Sequence, residues 1–418
     1  MTDTQAALPD ANLRRIHTEV ASLLDEGIVP FWSSRAVDAE HGGYLTEFDA
    51  DGNLGANSKK YLITQARMIW AFSAFAQHRP ADAGSLLEQA LQGVDFLRKN
   101  FWDEAYGGFR WSTTRDGKPL DPAKTLYAQS FAIYGLSMYA SVSGDTQALE
   151  LAEATFDLCH VIAADILNGG YHENFSQDWH PEGPGKSLDV HLHMMESFSQ
   201  LAKVTGSQKH RRRLRETVRL ISSRFVDKDS GAGRNQTTDD FLPQRTAPVA
   251  HTWGAERAGE HRETQDVTSY GHNLELCWLL GAAAEVLGEP VDDRIRARLG
   301  EHALAYGLDP IYGGIFREGP HQGAATDQDK EWWQQAEALV GFLDCYELTG
   351  DTRYLDAFVS VWNFTQEHLI APDVGEWRML ASRDGTILND TIGSVWKGAY
   401  HSGRSALETI ARLDRIIT

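Results

Sequence analysis

Paired glycines recur along this chain at nearly constant intervals, and a period that long restricts the fold to a stack or ring of like units. HGGY places its glycines at 42–43, YGGF at 107–108, NGGY at 169–170 and YGGI at 313–314. Two degenerate copies, SGAG from Ser230 and VGEW from Val374, fill the gaps. Counted from positions 42, 107, 169, 231, 313 and 375, the intervals are 65, 62, 62, 82 and 62 residues, so the fourth unit carries an insertion. Most copies follow acidic or turn-forming residues, as in DAEHGGY, DEAYGGF and DKDSGAG. That pattern predicts a short hairpin in which glycine supplies positive φ.

Two helical patterns follow each glycine loop. ITQARMIWAFSAFAQ precedes AGSLLEQALQGVDFLRKNF, and SLDVHLHMMESFSQLAKVTG precedes SQKHRRRLRETVRLISSRF. The first member is apolar nearly all round and belongs inside; the second is amphipathic and faces water on one side. Four first members end in SVSGD, KVTGS, EVLGE and ELTGD, a glycine stop signal. The final WKGAYHSGRSALETIARL finds its partner in the N-terminal LRRIHTEVASLLDEGIV, so the chain end closes on its start. The expected fold is all-α: one (α/α)6 barrel over residues 1–418, with six inner and six outer helices and hairpin loops at the pocket mouth. An open solenoid needs polar capping faces at its ends, and the last helix is too apolar for that.

A net charge of −20 argues against nucleic acid or an anionic membrane as partner. No stretch reaches the ~20 apolar residues of a membrane span. The N-terminal MTDTQAALPDANLRR lacks the pattern of a signal peptide. Cys159, Cys277 and Cys345 are sparse and lie in apolar helices, as reduced core thiols do. These features predict a cytoplasmic protein, monomeric or homodimeric, that takes a small molecule.

Polar and aromatic residues cluster at the starts of the inner helices. They include Arg67, Tyr127 with Gln129, His193 with Glu196, and His272 with Glu275. Trp332, Trp333 and Glu337, then Trp396, Lys397 and His401, complete the set. Singly, each has an ordinary explanation: a histidine near a helix start is usually solvated, a first-turn Glu complements the helix dipole, and paired tryptophans are usually core. Matching positions in a closed ring argue instead for one shared pocket.

A metal site is not expected. His191 and His193 of HLH sit two apart on a helix and diverge by about 200°. No HExxH or CxxC occurs. The sequence also has no P-loop, no dinucleotide GxGxxG and no GxSxG elbow, so no cofactor is expected. Histidines, an arginine and aromatics suit proton abstraction beside a carbonyl. Imidazole takes and returns protons near neutrality, a cation stabilises the oxyanion, and aromatic faces suit a sugar ring.

At these residues the sequence resembles the N-acylglucosamine 2-epimerase superfamily, within it the cellobiose 2-epimerases and mannose isomerases. QARMIWAFS, KTLYAQSFAIYGLS, HLHMMESF, SYGHNLELCWLL, KEWWQQAEALVGFLDCYELTGD, GEWRMLASRDG and WKGAYHSGR carry the likeness. It runs from about residue 26 to the C-terminus. The resemblance implies metal-free 2-epimerisation of a reducing aldose through a cis-enediolate. His272 and His401 resemble the catalytic histidines, and Glu275 the essential glutamate neighbour of His272, expected to orient an imidazole or set its charge state. His193 resembles the histidine near C1 and C2, and Arg67 the arginine that polarises the substrate oxygen. Tyr127, Trp333 and Trp396 match pocket aromatics; Glu337 and Asp189 join them as expected substrate-binding residues. Asp189-Val190 and Gly398-Ala399 depart from the pattern of the disaccharide enzymes, which leaves a monosaccharide of the glucose/mannose type and a β-1,4 disaccharide both open. Aldose–ketose isomerisation of mannose to fructose is the alternative outcome. An inverting glycoside hydrolase, with Glu275 and Glu337 as its carboxylates, is the more distant one.

Overall fold

The computed structural model describes residues 7–56, 59–243 and 267–417. Six inner helices, α3 (Leu62–His78), α5 (Leu126–Ser143), α7 (Leu188–Thr205), α9 (Tyr270–Leu287), α11 (Trp332–Thr349) and α13 (Tyr400–Ile417), pack side by side in that order. The last packs back on the first, which closes the ring. The outer helices are α4 (Ala83–Phe96), α6 (Thr146–Ala163), α8 (Gln208–Leu220), α10 (Asp293–His302) and α12 (Arg353–Phe364), with α1 (Ala7–Ser22) as the sixth, continued by α2 (Val29–Arg35). α1 covers α13, with His17 bonded to Asp414 at 2.9 Å and Arg14 to the Ile417 carbonyl at 3.0 Å. The expected (α/α)6 barrel is therefore the fold. Among the described residues no helix is long and apolar enough to cross a membrane. All three cysteines are free and buried.

Burial explains the two kinds of helix. In α5 every residue from Leu126 to Ala140 is buried, while α8 buries only His210, Leu214, Thr217 and Val218. Gly135 lets α5 approach α3 closely, since a Cβ there would lie 2.5 Å from the Ala66 carbonyl. Gly144, Gly206, Gly288 and Gly350 end their helices in the left-handed conformation, with φ of 77°, 63°, 65° and 73°.

The glycine pairs do form hairpins, and the structure shows a frame that holds them. Asp38, Asp103, Asp165, Asp227 and Asp309 each stand four residues before the first glycine and accept its backbone N–H. A lysine just before the inner helix reaches back to this turn. Lys60, Lys124, Lys186 and Lys330 bond Asp38, Asp103, Asp165 and Asp309 at 2.9, 3.0, 2.6 and 3.1 Å, and all four lysines are buried. In the sixth unit Lys397 bonds Glu376 at 3.1 Å. In the fourth, Thr268 stands at the lysine position and Asp227 bonds Arg234 instead. This is the unit with the insertion, whose residues 244–266 lie outside the described residues.

Counting from these six residues as rung zero gives one register for the whole ring. Rung five is Gln65, Gln129, His191, Asn273, Gln335 and Ser402. Gln65, Gln129 and Gln335 each accept the N–H and donate to the C=O of the residue after a glycine pair: Tyr44, Phe109 and Ile315. His191 accepts the Tyr171 N–H at 3.2 Å and donates Nδ1–H to the Ser187 carbonyl at 2.8 Å. Gln129 and His191 thus serve the frame. Gln335→Ala leaves two buried backbone groups unpaired; at about 1–3 kcal/mol each, thermal melts should show a drop in Tm of several degrees.

Candidate active site

Helical geometry puts rungs three, four and seven on one face of each inner helix. Rung three is Ile63, Tyr127, Asp189, Gly271, Trp333 and Tyr400; rung four is Thr64, Ala128, Val190, His272, Gln334 and His401. Rung seven is Arg67, Phe131, His193, Glu275, Glu337 and Arg404. These faces converge on a cleft at the hairpin end of the barrel. Arg67, Tyr127, Asp189, His193, His272, Glu275, Trp333, Trp396 and His401 all line it, joined by Glu331, Trp332 and Met379.

Glu337 is a correction. It does not line the cleft but lies behind it, 1% exposed, accepting from His401 Nδ1 at 2.7 Å and from Trp278 Nε1 at 3.1 Å. It supports a histidine and is not placed to touch a sugar. Glu275 does line the cleft, but its Oε1 bonds Arg404 at 2.5 Å and, among the described residues, its buried Oε2 has no hydrogen-bond partner, so it does not orient His272 by a bond; its charge still acts on the nearby His193 and His272. The two His-x-x-Glu stretches are not equivalent: His193 is on rung seven and His272 on rung four. Only the first forms a bonded pair, His193 Nδ1 to Glu196 Oε2 at 2.9 Å.

Asp189 is placed between two imidazoles. Its Oδ1 lies 3.3 Å from His193 Nε2 and 3.4 Å from His272 Nε2. Burial opposes a charge on His193, but Asp189 and Glu196 outweigh it and raise the imidazole to about 9. Burial would also raise the Asp189 carboxyl, yet the two imidazoles beside it hold it well below the ordinary range. His401 goes the other way: burial outweighs Glu337 and keeps it neutral, pushed down to about 3. Burial also lifts Glu275, aided by the nearby Glu337 charge, to about 7. One charged and one neutral imidazole thus share the cleft.

Arg67 donates Nη1–H to the Trp396 carbonyl at 2.8 Å and Nη2–H to the Tyr127 hydroxyl at 3.0 Å. Its guanidinium sits 4.2 Å from the Phe131 ring centroid, and its buried Nε has no hydrogen-bond partner. Trp333 packs against both His272 and His401, with ring centroids 4.7 and 5.7 Å apart.

Glu275, Glu337 and His401 offer three ligand atoms within 4.8 Å of one another. Both carboxylates already bond one guanidinium, that of Arg404, at 2.5 and 2.7 Å. The cation that this cluster is built around is an arginine. Sequence reading passed over Arg404, although it stands one turn after His401 and shares a rung with Arg67 and His193. The lysine register would have found it.

Comparison with known proteins shows the family. The sequence matches the N-acylglucosamine 2-epimerase (GlcNAc 2-epimerase) family over residues 43–403. The chain belongs to that family. It is therefore an enzyme of the carbohydrate isomerase class. It is 30% identical to cellobiose 2-epimerase of Bacteroides fragilis, over 94% of this chain and 98% of that protein. D-mannose isomerase of Marinomonas mediterranea is 21% identical, over 93% and 95% of the two chains. The solved cellobiose 2-epimerase of Spirochaeta thermophila superposes with a TM-score of 0.86 at 30% identity, covering 100% of both chains. Membership of the family accounts for the barrel.

Proposed function

We propose that this chain is a sugar 2-epimerase acting on a reducing aldose of the glucose/mannose type, free or at the reducing end of a β-1,4 disaccharide. The observation that carries the reading is that His272 and His401 line one cleft with Trp333 packed against both rings. His401 commits Nδ1 to Glu337, which leaves Nε2 to meet a substrate.

In this reading the ring opens to expose the C1 carbonyl. A neutral imidazole then takes the C2 proton, and the electron pair moves into the C1–C2 bond as negative charge grows on O1. The Arg67 guanidinium and the His193 imidazolium supply positive charge for that oxygen. The second histidine, entering as an imidazolium, gives its proton to the opposite face of C2 while the electron pair on O1 restores the C1 carbonyl, giving the epimer. Return of the proton to C1 instead gives the ketose, and the likeness to a mannose isomerase keeps that outcome in the test. Hydrolysis is disfavoured. Its two carboxylates must stand about 5–9.5 Å apart on either side of a glycosidic bond, whereas Glu275 and Glu337 are drawn together on one arginine.

The test is NMR of purified protein in D2O with D-mannose, D-glucose, D-fructose and cellobiose in turn. Mannose giving glucose with deuterium at C2, or cellobiose giving its mannose-terminated epimer, supports the proposal and names the substrate. Fructose as the first product from mannose replaces it with the isomerase outcome. Unchanged spectra for every sugar reject it.

A further inference from the structure

Arg404 is 2% exposed and does not line the cleft, yet it touches everything behind it. Its guanidinium bonds carboxylates from three helices: Glu196 of α7, Glu275 of α9 and Glu337 of α11. It also bonds the Tyr400 hydroxyl, and the rings of Trp278 and Tyr400 lie 4.9 and 4.3 Å from its central carbon. Stability is a weak reason for such a cluster, because a buried ion network is often matched or bettered by apolar side chains of like volume. Its connections suggest another reason. Glu196 holds His193 and Glu337 holds His401, so one arginine stands behind both imidazoles.

We propose that Arg404 is a positioning residue that sets the charge of two histidines it does not touch, keeping His193 an imidazolium and His401 a neutral imidazole. The inference rests on the two-histidine reading above. With Asp189, Glu196 and Glu337 ionised, the charges of Arg67, Arg404 and His193 balance them, and His401 needs none. Without the guanidinium one buried negative charge is left unmatched. Glu275 loses its 2.5 Å bond to Arg404 while His401 keeps its 2.7 Å bond to Glu337, so both can take up the proton, and the share taken by His401 is what moves the acid limb. A protonated His401 cannot accept a proton from C2.

The groups facing His401 are Glu337 and Trp333 of α11, Glu275 of α9, Arg67 of α3, and Tyr400 and Arg404 of its own helix. Those facing His193 are Asp189 and Glu196 of its own helix, Tyr127 and Phe131 of α5, and Glu275 of α9. With Arg404 in place, the partners of His193 are anionic, while the partner of His401 is shared with a cation.

The test compares pH profiles of kcat/KM for C2 proton exchange in wild type, Arg404→Lys and Arg404→Gln. It also reads the histidine charge states in the wild-type chain by 15N NMR. The expected result has two parts. In Arg404→Gln the acid limb moves up by one pH unit or more, while Arg404→Lys keeps the wild-type limb and loses about tenfold in kcat. At pH 7 the wild-type spectrum shows neutral His401 and charged His193. A uniform fall in rate with an unmoved limb in Arg404→Gln overturns the proposal and leaves a purely structural arginine. So does a charged His401 at pH 7. If Arg404→Gln fails to fold by circular dichroism, the NMR result decides. If the wild type turns over no sugar, the epimerase reading fails, while the same spectrum still judges the arginine.

Discussion

His401→Ala should lower epimerisation about 10²–10⁴-fold, the usual weight of a general acid–base group, with little change in KM. Ala removes the imidazole bonded to Glu337 and leaves that carboxylate to Arg404 and Trp278. His272→Ala should cost a similar factor, because in a two-base scheme each histidine serves one face of C2. The two variants are then separable in D2O. Each should still exchange the C2 hydrogen of one epimer, the one whose proton the surviving histidine takes, without forming the other. Steady-state rates and proton NMR of each epimer read both effects. Near-wild-type turnover in either variant, or loss of exchange in both epimers for both variants, contradicts separate roles for the two rings.

The largest stability effect is expected from Lys186→Met. Lys186 is fully buried and bonds Asp165 at 2.6 Å, the Gly169 carbonyl at 2.7 Å and the Asp239 carbonyl at 2.6 Å. Asp38 and Asp309 have a second cation in Arg115 and Arg383; among the described residues Asp165 pairs with Lys186 alone. Removing one partner of a buried pair costs about 3–5 kcal/mol because the other charge stays behind. Denaturant titration should show that loss, and Lys186→Met/Asp165→Asn should regain part of it, since Asn keeps the turn's side-chain acceptor without the charge. The pH dependence has a definite sign. Burial would raise the Asp165 carboxyl, but Lys186 and the N–H groups of the turn hold it below its ordinary 3.8. A group depressed in the folded state contributes fully above its ordinary value and loses that contribution as pH falls below it. The stability gap between wild type and Lys186→Met should therefore narrow in acid.

The ring was legible because glycine pairs mark every unit and because inner and outer helices differ in how much of their surface is apolar. The pocket was legible in outline, since rungs three, four and seven carry the unusual residues. What the sequence hides is where long side chains turn. The spacing of His272 and Glu275 permits a bond between them, as it does for His193 and Glu196. Glu275 instead reaches Arg404, which lies 129 residues further along the chain. Glu337 was placed in the cleft for the same reason: its rung is right, but its carboxylate points behind His401. Four of the buried lysines were missed, and Lys397 was read with the pocket, because a lysine before a helix normally reads as a solvated charge, and only the turn folded over it makes it part of the frame.

Frame and chemistry are written on different rungs. The residues of rungs zero and five hold the hairpins, and none of them lines the cleft. Most of the lining comes from other positions on the same helices, one or two on each, with Glu331, Met379 and Trp396 added from the segments between them. A lineage with this architecture can therefore revise its substrate preference one helix at a time, like six independent dials, while the residues that keep the chain folded stay untouched. Divergent sugar specificities on one unchanging skeleton are the expected evolutionary outcome.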